Sequence, residues 1–439
     1  MLQFKIKSLL NAALTHLGIE EKFDFKVDTP PRRELGDFAS NAPLVYGRKL
    51  SQKPFELAEK LAQKVEELDK DSIFRKVDVA PPGFINFFLS DTFLQNSLLE
   101  ILKRDEDWGK SEEGKGERVL LEFVSANPTG PLHVGHGRWT VIGDVIGRLL
   151  EAVGYKVERE YYVNNVGNQV ELLVDSVKAV REGRDVPEGG YGGGYIREVK
   201  GETRKGIVDF ILQEQRKTLE NLGVHFDRWF YESELHEENK VKWAVEKLHD
   251  LRKIFEEDGA IWFKSQELGD DKNRVLIRED GQPTYFAADI AYHLDKFSRG
   301  YDHLIDIWGT DHHGYVGRLK AAMKVLGQPV EKFEIIIGQL VTLYRGKEPV
   351  RMSKRTGEMV TLQEVLDEIG ADATRFFFAA TDVNSHLVFD LELAKKKSHE
   401  NPVFYVQYAH ARICSILRKS PVARHRSPIG LSDLTHPAE

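Results

Sequence analysis

Cysteine is almost missing. Cys414 stands alone among 439 residues, so no intrachain disulfide and no thiolate zinc cage can form, and nothing in the chain calls for an oxidising compartment. Long apolar runs are missing too: no stretch approaches the roughly 18 residues that a membrane span needs. The opening MLQFKIKSLLNAALTHLG lacks the uninterrupted apolar core of a signal peptide, and Ile6, Leu9, Leu10, Ala13, Leu14 and Leu17 recur at helical spacing instead. Glycine (36) and proline (16) stay below fibrous or low-complexity levels, while 41% hydrophobic and 30% charged residues make a globular composition. These absences predict a cytoplasmic protein without membrane partners, and at about 150 residues per domain the length predicts roughly three domains. Net charge is −8, yet residues 395 to 426 carry eight Lys or Arg against Glu400 alone. Such a segment suits phosphate contact as well as a solvated helix face.

Residues 1–112 read as a small mixed α/β domain. Ser51 precedes a helix with Phe55, Leu57, Leu61, Val65 and Leu68 as its stripe, and VDVAPPGFINFFLS reads as two strands around Pro81, Pro82 and Gly83. The polar run KSEEGKGE closes the domain. Residues 113–394 then follow a strand, helix, strand order. RVLLEFV is a buried strand; Val141, Ile142, Val145, Ile146, Leu149, Leu150 and Val153 stripe the next helix; YKVEREYYV is the second strand. A βαβ unit predicts a Rossmann-like parallel sheet with ligands at its carboxyl edge. The Gly-rich EGGYGGGY and the charged stretches after it read as an inserted domain at about 175–265, with the βα pattern resuming at YDHLIDIWG and EIIIGQLV. Residues 395–439 begin as a helix, NPVFYVQYAHARICSILRK.

SANPTGPLHVGHGR, between the first strand and the helix, carries the densest chemistry. His133 and His136 fall at a helix N-terminus, where free N–H groups and the helix dipole favour phosphate. Two imidazoles there can donate to charge developing on a transferring phosphorus; a metal pair is the alternative, without a third ligand nearby in sequence. Gly130 and Gly135 permit close approach of a ring or backbone. In PVRMSKRTGEMVTL, Lys354 offers a mobile point charge for departing pyrophosphate.

HVGH resembles the HIGH signature of the class I aminoacyl-tRNA synthetases, and RMSKR their KMSKS loop. GDFASNAPLVYGRKL, SANPTGPLHVGHGR, NNVGNQV, DGQPTYFAADIAYHLDK and GTDHHGYVGRLKAA narrow the resemblance to arginyl-tRNA synthetases of bacterial type, over residue 1 to about 418. It implies an α/β protein: a Rossmann-like catalytic domain with an insertion, a small α/β add-on domain that contacts tRNA, and the start of a helical anticodon-binding domain. It further implies activation of L-arginine with ATP, and Mg2+ carried on the nucleotide without a dedicated protein metal site, followed by transfer to tRNA(Arg). On that resemblance His133, His136 and Lys354 are catalytic. Thr129, Gly130, Gly135, Gly309, Asp311, Met352 and Ser353 meet ATP; Glu122, Asn127, Tyr285, Asp289 and His312 or His313 meet arginine; Asn86 and Phe88 meet tRNA. The resemblance stops in the first helix of the anticodon domain, predicting exposure of Val403, Val406, Tyr408, Ile413, Ile416 and Leu417 and a separate C-terminal fragment as one possible partner. Two rivals are another HxGH nucleotidyltransferase, which turns over nucleotide without arginine, and a non-catalytic RNA-binding protein.

Overall fold

The computed structural model describes residues 2–346, 348–350 and 360–419, and for Asp311 and His313 the backbone alone. Lys354, Met352 and Ser353 therefore lie outside the described residues. One compact unit ends at Gly109 and another begins at Lys110, slightly ahead of the expected boundary at 112.

The first unit contains α1 (Leu2–His16), β1 (Val27–Asp28), β2 (Phe38–Ser40), α2 (Ala42–Leu50), α3 (Pro54–Leu68), β3 (Phe74–Ala80), β4 (Phe84–Leu89) and α4 (Asp91–Arg104). Its antiparallel sheet runs β1-β2-β4-β3. Leu57, Leu61 and Val65 of α3 meet Ile6 and Leu10 of α1 in a core that also buries Ile85 and Phe87 of β4. Phe55, expected in the α3 stripe, is exposed, because two residues rotate a helix by about 200° and turn it away from Leu57. The two-residue period of β4 puts Asn86 and Phe88 on the face opposite Ile85 and Phe87.

The second unit is built on β5 (Arg118–Glu122), α5 (Val134–Ala152) and β6 (Lys156–Val163), followed by α6 (Asn168–Arg181), α7 (Tyr195–Glu198), α8 (Arg204–Asn221) and β7 (Arg228–Tyr231). After α9 (Glu232–Glu237) and α10 (Lys240–Asp250), β8 (Ile254–Glu257), β9 (Ala260–Phe263) and β10 (Arg274–Ile277) form a small antiparallel sheet. The chain then adds α11 (Tyr285–Ser298), β11 (His303–Gly309), α12 (His313–Val325) and β12 (Phe333–Gly338). The central sheet is parallel throughout, in the order β12-β11-β5-β6-β7. This corrects the expected insertion at 175–265: β7 is the sheet's edge strand, reached from β6 through α6, α7 and α8. RWFY did not read as a strand because four residues between long charged helical stretches are too few to show a strand's period.

A further sheet holds β13 (Val341–Arg345), β14 (Glu348–Pro349) and, beyond α13 (Leu362–Ala379), β15 (Leu387–Asp390); α14 (Leu391–Lys395) and α15 (Pro402–Lys419) follow. α13 packs on α5, so the amino-terminal half of α5 is covered on several sides while Leu149, expected in its stripe, lies exposed. On α15 Val406, Tyr408, Ile413, Ile416 and Leu417 are exposed as expected, but Val403 is buried at the first turn.

Candidate active site

β5 ends at Glu122, and the chain breaks out of the sheet through Val124 and Ser125, both in the left-handed region at φ 72° and 40°. Non-glycine residues adopt that conformation only where surrounding contacts impose it. The loop leads to His133, the N-cap of α5. His133 Nδ1 accepts from His136 N–H (3.3 Å) and His136 Nδ1 accepts from His133 N–H (3.2 Å). The rings stack with centroids 3.6 Å apart. With each Nδ1 facing a donor, the neutral rings carry their protons on Nε2, which makes Nε2 the donor at a positive helix end. A Cβ at Gly135 would lie 3.0 Å from the His133 ring, so this glycine makes room for the stacked pair.

Beside this loop the carboxyl edge of the sheet opens into a cavity of about 170 Å3, lined in part by Glu122, Ser125, Trp139, Asp289, Trp308 and Tyr315. The parallel register sets Asp306 of β11, Glu122 of β5 and Glu160 of β6 side by side on adjacent strands, three buried carboxylates in a row. α11 brings the compensating charge. Lys296, fully buried, donates to Glu122 Oε2 and to Asp306 Oδ1 (2.7 Å), while Arg299 pairs with Glu160. Burial opposes charge on Lys296, yet Asp306, Glu122 and Glu160 outweigh it and hold its pKa above the ordinary lysine value. His293 bridges the Asp289 carbonyl and Asp306 Oδ2, each at 2.8 Å.

Two carboxylates stay without such a cation. Among the described residues Asp289 is paired with no Lys or Arg; Tyr315 donates its hydroxyl to Oδ2. Burial pushes the Asp289 carboxyl up to about 6, against the hydrogen bond from Tyr315 and the charge of His293, with Glu232 and Glu122 raising it further. Glu232, buried at the start of α9, has His236 at 3.6 Å and faces the Asn164 amide, which donates an N–H to it at 3.0 Å once its NH2 is turned toward the carboxylate. Among the described residues this region therefore carries carboxylate without a matching Lys or Arg, a balance that suits a planar, multiply donating cation.

A model described as the arginyl tRNA synthetase N terminal domain matches residues 5–89, and one described as tRNA synthetases class I (R), catalytic domain, matches 97–187 and 194–388. An arginine–tRNA ligase from Heliobacterium modesticaldum is 44% identical over 448 residues, covering 94% of this chain and 79% of its own length. The chain belongs to the arginyl-tRNA synthetase family. A Thermotoga maritima arginine–tRNA ligase is 43% identical over 417 residues, 89% of this chain and 76% of that protein. In fold, the solved arginyl-tRNA synthetase of Thermus thermophilus aligns over 100% of this chain and 84% of its own, with a TM-score of 0.78 at 21% identity.

Against the residues expected from the family resemblance, Glu122, Asp289, Gly309 and His312 line one cavity. Glu122 is already engaged, by Lys296 and by Ser125 Oγ at 2.7 Å, so it orders the wall and is not an open carboxylate. Tyr285 sits one turn from Asp289 but is 46% exposed and outside that cavity. Asn127 Nδ2 donates to Gln169 Oε1 at 2.7 Å. Thr129 and Gly130 are buried in the loop, and the side chain of Asp311 is outside the described residues. Asn86 is 6% exposed and borders a separate cavity of about 430 Å3 with Pro30, Pro31, Pro81 and Phe84, while Arg75 and Lys76 lie over the Phe88 ring at 5.7 and 5.5 Å. Lys296, His293, Tyr315 and Glu232 escaped the sequence reading. A signal existed for two of them: Asp289, His293 and Lys296 fall at i, i+4 and i+7, on one face of a largely apolar helix.

Proposed function

We propose that this chain activates L-arginine with ATP to arginyl-adenylate and pyrophosphate, then transfers the arginyl group to the terminal ribose of tRNA(Arg). The observation that carries the reading is the Asp289 carboxylate, paired with no Lys or Arg among the described residues, in a cavity lined also by Val124 and Ser125 of the loop that leads to the stacked histidines. Asp289, with Glu232 behind it, balances the guanidinium, and Tyr285 closes over the ligand from the rim. Asn127 holds the α-amino and carboxylate groups.

The arginine carboxylate is anionic without help from a base, so positioning and electrostatics dominate the first step. His133 and His136 donate through Nε2 to the oxygens of the phosphorus under attack. Lys354 follows the pyrophosphate, and Mg2+ carried on the phosphates lowers their charge. Asn86 and Phe88 offer an amide and an aromatic face to an unpaired tRNA base in a cytoplasmic enzyme. The exposed row on α15 is where a separate C-terminal fragment would dock, and adding such a fragment should raise tRNA charging without changing adenylate formation. The test is ATP–pyrophosphate exchange in the presence of tRNA. Exchange that requires arginine is expected, and exchange indifferent to arginine would favour another nucleotidyltransferase.

A further inference from the structure

The loop between Glu122 and His133 is largely buried and belongs to no strand or helix, so its carbonyl oxygens lack ladder partners. Backbone N–H groups of Ser125, Thr129 and Leu362 take the Phe123, Asn127 and Leu132 carbonyls, and side chains from three other elements hold the stretch between. Gln215 of α8, 1% exposed, donates through Nε2 to Gly130 O (2.8 Å) and Asn127 O (3.2 Å). Tyr161 of β6 accepts from Ala126 N–H (3.0 Å), and its hydroxyl proton faces Ala126 O (2.9 Å) and Gln215 Oε1 (3.1 Å). Tyr195 of α7 donates to Thr129 O at 2.8 Å, and a Cβ at Gly130 would lie 3.0 Å from that hydroxyl. Burial pushes both phenols well above their ordinary pKa, which keeps them donors.

A primary amide is the one uncharged side chain that offers two donors and an acceptor in a single plane. Gln215 uses all of it here. The backbone it grips begins with the left-handed pair Val124 and Ser125, a conformation that persists only when its surroundings over-determine it. A carbonyl held by a buried donor also cannot turn its negative end toward a polyphosphate.

We propose that Gln215, with Tyr161 and Tyr195, is a positioning residue for adenylate formation: it fixes the backbone of residues 126–130, and through it Asn127 and the stacked His133 and His136, relative to the arginine cavity. This rests on the function proposed above. It assigns to the crossover between β6 and β7 a part in the chemistry that no residue of the cavity wall supplies.

Arginine-dependent pyrophosphate exchange by the full chain with tRNA tests it, for wild type, Gln215→Met, Gln215→Glu and Tyr195→Phe, alongside arginine affinity by calorimetry and Tm. Gln215→Met should lose roughly 10- to 100-fold in kcat while arginine Kd moves less than about threefold, because the charged wall is left intact. Tyr195→Phe, at the less buried end of the clamp, should stay folded and lose kcat by about threefold to tenfold with Kd unchanged. Gln215→Glu sets a carboxylate against two carbonyls, and protonation restores one donor. Its activity relative to wild type at the same pH should therefore climb at least about fivefold between pH 8.5 and pH 6. Unchanged kcat in the folded variants, an equal loss of kcat and arginine affinity, or a flat pH ratio for Gln215→Glu would each overturn the positioning role. No exchange by the wild type would overturn the function as well, which separates the two failures.

Discussion

Without a bound cation Asp289 is a liability to the fold. Its carboxyl is held up to about 6 chiefly by burial, so ionising it costs the folded chain relative to an unfolded chain in which it titrates like an ordinary aspartate. The penalty is absent below the unfolded pKa and fully present above about 6. Asp289→Asn should therefore raise the stability of the ligand-free protein at pH 7.5, by up to roughly 3 kcal/mol at about 1.4 kcal/mol per pH unit, as read by denaturant titration. The same variant should weaken arginine by roughly 1.5 to 3 kcal/mol and citrulline by less, since only arginine loses a counter-charge. Equal losses for both ligands would mean that Asp289 does not read charge. His136→Ala should keep arginine binding and lower adenylate formation by roughly 100-fold or more, the scale of one transition-state donor. Steady-state kinetics beside a binding isotherm separates that outcome from a parallel loss. At this scale the sequence exposed what motifs carry and hid what tertiary contact creates. The place of His133 and His136 at the start of a helix was legible; the engagement of Glu122 by Lys296 was not, because 174 positions separate the partners.

Strand and helix positions were legible where the chain is apolar and periodic. β5, α5 and β6 emerge where the pattern places them, whereas β7, four residues with a charged start, does not. What sequence could not give is how close the elements approach. α5 lies on β5 through Gly143, where a Cβ would sit 2.3 Å from the buried ring of Phe123. Gly143→Ala should destabilise the second unit by about 1 to 3 kcal/mol, since the added methyl overlaps a fully buried ring that must shift. Arg138 is a stronger case. Fully buried on α5, it donates to Gln339 O (2.8 Å), Leu340 O (3.3 Å), Asp382 O (2.9 Å) and Ser385 O (2.9 Å), tying the helix of the histidine pair to segments beside β13 and β15. Burial lowers its pKa, against the charge of Asp382. Arg138→Met should cost about 2 to 4 kcal/mol in thermal or denaturant unfolding, because Gln339 O and Ser385 O lose their donor, while Leu340 O and Asp382 O keep the N–H groups of Leu387 and Ser385. A loss below about 1 kcal/mol would show that the carbonyls find other partners.

For the molecule as a whole, the proposed function makes arginine selection depend on an excess of carboxylate over cation, among the described residues, across three strands and one helix. The row Asp306, Glu122 and Glu160 is balanced by Lys296 of α11 and by Arg299 just after it, and Asp289 on that helix is the carboxylate that the proposed function gives to the substrate. The family and its parallel sheet could be read from five motifs in order, but that excess could not, because it depends on which charges meet inside. Calorimetric titration of arginine across pH, in buffers of different ionisation heat, addresses this most directly. The account predicts a Kd that is constant above about pH 7 and rises about tenfold per unit below about 6, with proton release on binding near pH 6, and a flat profile for Asp289→Asn. An arginine affinity in the wild type that does not change between about pH 5.5 and 8, or a wild-type slope that survives in Asp289→Asn, would contradict it.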